Sequence, residues 1–114
     1  MTRKPSREAQ GLEVDPRFAP VVDAFAADPA VTAGTMMASF GLKVNGKIFA
    51  MVARGRLVVK LPKARVDALV GGGAGEHFDP GHGRRMKEWI SIAGDDGWQE
   101  LAREAYAFVK AGAA

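Results

Sequence analysis

The chain has 114 residues, enough for one domain with a modest core. Its 47% hydrophobic and 25% charged residues match a globular protein, and the lack of cysteine excludes a disulfide framework, thiol catalysis and a Cys-based zinc site. The net charge of +3 and pI ≈ 9.5 permit nucleic-acid binding without requiring it, because the bases are scattered along the chain.

Residues 1–14 carry few apolar side chains and read as a flexible arm; residues 15–114 read as a single domain. Pro20, preceded by Ala19, suits the first turn of a helix, and Val21, Val22, Phe25 and Ala26 follow at helical spacing. Asp28-Pro29 should end it, since the residue before proline is pushed out of the α region. Residues 35–61 then read as a sheet of three strands. Asn45-Gly46 and Arg54-Gly55 predict two-residue hairpins that pair Val44 with Lys47 and Ala53 with Arg56. With regular alternation, Ile48, Ala50, Val52, Leu57, Val59 and Leu61 share one face, and Leu42, Val44, Phe49, Met51 and Val58 share the other. Both faces are apolar, so helices should cover one and something else the other.

Pro62 predicts the start of a short helix with Val66, Leu69 and Val70 inward, stopped at Gly71-Gly72-Gly73. Residues 86–92 alternate as a strand. Gly94-Asp95-Asp96 should open the last helix, whose apolar stripe is Trp98, Leu101, Ala102, Ala105, Phe108 and Val109. The reading is an α+β domain, a small antiparallel sheet with helices packed mainly on one side, in the order α-β-β-β-α-β-α. No apolar run reaches the ~18 residues of a membrane span. The polar start MTRKPSREAQ lacks the apolar stretch of a secretory signal. A cytoplasmic location is expected.

The densest polar stretch is GEHFDPGHGRRMKEWISI, residues 75–92. His77, Asp79 and His82 lack metal-ligand spacing and read as loop residues beside a Phe78-Asp79-Pro80-Gly81 turn. Neither glycine cluster follows a strand and opens a helix, so neither is a phosphate loop. Ser6, Ser39 and Ser91 lack a nucleophile-elbow context, and Asp95-Asp96 reads as a helix start rather than a catalytic pair. Methionines at strand positions read as gap-fillers of a core. No catalytic, cofactor-binding or metal residue is assigned. Arg84, Arg85, Lys87 and Trp89 form the candidate interaction surface, since guanidinium, ammonium and indole groups can grip a carboxylate, a phosphate or a stacked ring.

Three segments resemble the N-terminal domain of the TfoX/Sxy family: MMASFGLKVNGKIFAM, GRLVVKLPKARVDALVGGGAGEHFDPGHGR, and MKEWISI followed by WQELAREAYAFV. They cover most of residues 35–109. The chain departs from the family pattern at Met37-Ala38, where Phe-Gly is usual, and reads as a stand-alone domain without the helical C-terminal domain of the full-length competence regulators. The resemblance implies an α+β domain with helices on one side of its sheet, no catalytic residues, and a regulatory role exerted through protein partners.

The leading expectation is therefore a non-enzymatic, cytoplasmic protein-interaction module without cofactor. A homodimer is expected, joined through Leu42, Val44, Phe49, Met51 and Val58, because an apolar second face needs shelter. The alternative is nucleic-acid binding by Arg54, Arg56, Lys60, Lys63, Arg84, Arg85 and Lys87, which would have to converge on one surface. A third reading is a small-molecule or metal-dependent enzyme built on His77, Asp79, His82 and the arginines.

Overall fold

The computed structural model describes residues 15–36, 39–79 and 86–112. The arm expected over residues 1–14 lies outside them. The chain is α+β, and its described residues form one antiparallel six-stranded sheet and three helices. In chain order the elements are α1 (Ala19–Ala24), β1 (Val31–Met36), β2 (Ser39–Val44), β3 (Lys47–Ala53), β4 (Arg56–Lys60), α2 (Lys63–Gly71), β5 (Gly75–Phe78), β6 (Met86–Ile92) and α3 (Trp98–Lys110). The strands lie side by side as β1-β2-β3-β4-β6-β5. Two strands were not anticipated. β1 (VTAGTM) breaks its β-branched Val31, Thr32 and Thr35 with Ala33 and Gly34, and β5 is four polar-leaning residues; each pairs with a neighbour.

The hairpins form as their turn residues demand. Asn45 and Gly46 have φ of 53° and 82°, Arg54 and Gly55 of 55° and 77°, positive at both positions as the primed turns require. Val44 pairs with Lys47, and Ala53 with Arg56. Between these ends β3 holds a bulge: Leu42 faces Ala50 while Lys43 faces Ile48, so Phe49 is an extra residue without a partner on β2. The bulge reverses the phase of β3. Phe49 and Ala50 both enter the core beneath the helices, whereas Ile48 packs on the opposite face.

This corrects the expected faces. Leu42, Val44 and Phe49 are 2%, 0% and 0% exposed, in one core with Leu57, Val59, Leu61, Ile90 and α3. Met51 and Val58, 3% and 0% exposed, do lie on the other face, enclosed with Phe78 and flanked by Ile48, Ala53 and Trp89. None of the five is accessible on the single chain, so together they are not a dimer surface.

All three helices contribute to one layer. α3 crosses β2, β3 and β4; α2 lies on β6 and β5; α1 packs against α3. α1 ends at Ala24, ahead of Asp28-Pro29, because the chain tightens into successive three-residue turns: the Phe25, Ala26 and Asp28 amides donate to Val22, Asp23 and Phe25 carbonyls. α3 starts at Trp98 after a left-handed Gly97, with no side-chain cap. Asp95 is taken instead by Arg17. Arg65 of α2 grips Glu104 of α3 through two bonds of 2.9 and 3.0 Å, tying the helices together. Among the described residues no helix is long and apolar enough to cross a membrane.

Candidate functional site

The most distinctive surface arises where β5 stops following β6. His77 pairs with Ile90, but the next residue, Phe78, pairs with Met86, leaving Lys87, Glu88 and Trp89 without β5 partners. On their other side they stay anchored: Trp89 pairs with Lys60 of β4, and the Leu61 amide donates to the Glu88 carbonyl at 2.9 Å. A stretch bound on one edge only leaves its outer backbone edge open, while its side chains still alternate between the two faces. Trp89 is half-buried on the face opposite the described helices, packed against the Met51–Val58–Phe78 cluster.

Lys60, Lys63, Lys87 and Glu88 line an open cleft of about 460 Å³ together with this indole. The Lys60 ammonium lies 6.0 Å from the Trp89 ring centre and 3.9 Å from the Glu88 carboxylate. Lys63 is held by Asp67 at 2.8 Å, an i,i+4 pair on α2. Lys87 is exposed. Three ammonium groups stand against two carboxylates, Glu88 and Asp67, which leaves the cleft a small cationic excess beside an aromatic floor. It can hold an anionic group beside an apolar or planar one.

Of the four residues expected here, Lys87 and Trp89 are brought together, and Arg84 and Arg85 lie outside the described residues. Lys60 and Lys63 join them, which required knowing that β4 neighbours β6. The wider basic footprint divides. Arg54 and Arg56 sit at the hairpin end of β4, Arg54 donating to the Asp79 carbonyl at 3.2 Å and Arg56 lying 3.9 Å from Glu76. Lys60, at the other end of β4, is about 13 Å away at the usual rise per strand residue.

His77 is not a loop residue. It belongs to β5, and its Nε2 lies 3.2 Å from Asp67 Oδ1, linking that strand to α2. Asp67 is held below the usual carboxylate range, first by the hydrogen bond from Lys63 and then by that from His77. His82 falls outside the described residues. Among those described, no three His, Cys, Asp or Glu gather as metal ligands. Compared with known proteins, no protein-family model matches the chain, and no curated protein matches it.

Proposed function

We propose that the chain is a non-enzymatic protein-interaction module, regulatory in role and akin to the N-terminal domain of TfoX/Sxy competence regulators. The observation that carries this reading is the Lys87–Trp89 stretch, left unpaired by β5 and set in a cleft among Lys60 and Lys63. An indole in a cleft shared with lysines is the composition of an interface anchor, where aromatic residues supply area and charges orient the partner. The three segments that suggested the family fold as β2–β3, as β4–α2–β5, and as β6 followed by α3.

The test is capture from native lysate with wild type beside Trp89→Ala and Lys87→Ala, each checked for an unchanged melting temperature. A partner retained by wild type and lost by both variants supports the reading. Equal recovery on all three baits ends it.

The same cleft favours a second reading, a single-stranded nucleic acid with one base on Trp89 and phosphates on the lysines. Here Trp89 fluorescence should be quenched by an oligonucleotide at low salt, and the quenching should vanish steeply as salt rises. No quenching at low salt removes it.

A further inference from the structure

The sheet has two edges, β1 and β5, and they are built differently. β5 is four residues long, carries Glu76 and His77, and loses its regular pairing after His77. Short length, charge and irregularity are the devices that keep an edge from recruiting another strand. β1 has none of them. It runs six residues, VTAGTM, in unbroken register with β2 from Val31–Val44 to Met36–Ser39, without a charged residue, a proline or a bulge. No described strand covers its outer edge.

The helix layer also stops short of β1. Ala33 pairs with Leu42, a core residue beneath the helices, yet Ala33 is itself exposed, as is Thr32. Among the described residues the edge is therefore open along its backbone and beside it.

We propose that β1 pairs antiparallel with β1 of a second copy of this chain, joining the two six-stranded sheets across a twofold axis. In such an isologous contact residue i faces residue j and j faces i, so a charge near the axis would lie close to its own copy. β1 carries no charge, and Thr32, Ala33 and Gly34 are small enough for both strands to approach. A partner of different sequence would be selected by complementary charge, which this strand does not offer. One strand pair buries less than a standard stable interface, so the dimer is weak and reversible, dissociating on the order of tens of micromolar. The contact is independent of the Trp89 cleft: β6 lies four strand positions from β1, about 19 Å at the usual spacing.

The experiment uses the full chain. Light scattering from about ten to several hundred micromolar should show the mass climbing toward twice the monomer. Ala33→Lys and Thr32→Glu, both at exposed positions, should each raise the dissociation constant more than tenfold with unchanged circular dichroism. The chain has no cysteine, so Ala33→Cys installs a unique thiol. In the dimer a nitroxide there should lie close to its symmetry mate, and one at Ala107→Cys, exposed on α3, should not. A monomer throughout overturns the proposal, as does a dimer indifferent to both charged variants or one bringing only the Ala107 labels together. Dimerisation that emerges only after deleting residues 2–14 would assign the edge to the chain's own arm, and also overturns it.

Discussion

The Arg17 guanidinium lies 4.8 Å from the centre of the Trp98 ring. The same group reaches Asp15 at 2.7 Å, Asp95 at 2.6 Å and the Gly55 carbonyl at 2.6 Å. One side chain thereby ties the start of the described chain to the β3–β4 turn and to the loop before α3. Asp15, first, and then Asp95 raise its pKa above the ordinary arginine value. Arg17→Ala should lower the melting temperature, and Arg17→Lys should recover only part of the loss, since an ammonium cannot reproduce the planar fork over an indole. Thermal melts of the three proteins check this; coincident curves would show that the clamp adds nothing.

Phe49 tests the corrected core. It is fully buried, with ring centres 5.2 Å from Phe25 and 5.7 Å from Tyr106. Phe49→Ala should cost about 3–5 kcal/mol in urea unfolding, as for other buried aromatics. The loss should be the same at low and high protein concentration. A loss seen only at high concentration would return Phe49 to an interface.

Two glycines make a matched pair. A Cβ on Gly75 would stand 2.2 Å from the Ser91 carbonyl oxygen, backbone that cannot step aside, whereas one on Gly71 would meet nothing within 4 Å. Gly75→Ala should destabilise by about 1–3 kcal/mol or break the β5–β6 pairing. Gly71→Ala, at the last position of α2, should be neutral or stabilise by about 0.4–1 kcal/mol. Denaturant midpoints decide, and equal midpoints would contradict the close approach.

Acid should weaken the fold through two aspartates. Asp28 is held below the usual carboxylate range, first by the Tyr106 hydroxyl and then by the Ala30 amide; Asp67 is held low by Lys63 and His77. A depressed folded-state pKa means the unfolded chain takes up protons first as pH falls. The stabilisation is thus present above the ordinary carboxylate range and is lost as pH falls through the folded values, between about pH 5 and 2. Asp67 is exposed and Asp28 half-buried, so added salt should shrink the effect, more at Asp67. Asp28→Asn and Asp67→Asn should each flatten the melting temperature's pH dependence in that window. Unaltered profiles would count against these contacts.

What was legible in the sequence was local. Asn45-Gly46 and Arg54-Gly55 dictate their own φ signs and so fixed both hairpins and their end pairings. The 3.6-residue stripe of α3 likewise put Trp98, Ala102, Ala105 and Val109 inside. What escaped was set by distant partners. β5 exists because β6 offers it an edge. The insertion of Phe49 into β3 leaves no mark in a run of apolar residues, yet it put Leu42, Val44 and Phe49 on the helix-covered face and Ile48 on the other. At the candidate site, Lys87 and Trp89 were visible in a dense polar stretch. Lys60 and Lys63 stood out only as members of a scattered basic set, because their place beside Trp89 follows from strand order.

The extra residue of β3 separates two kinds of information that a strand usually carries together. With position 49 removed, Leu42 would still face Ala50, Lys43 would face Ile48 and Val44 would face Lys47, now as an uninterrupted ladder. Phe49 therefore contributes nothing to who pairs with whom and a great deal to what fills the interior between Phe25 and Tyr106. A lineage could lose that single codon and keep its pairing pattern whole, provided larger side chains elsewhere closed the vacated space. Comparing relatives by strand pairing alone would then overlook the change, and a length difference of one residue here would signal a repacked interior rather than a different topology.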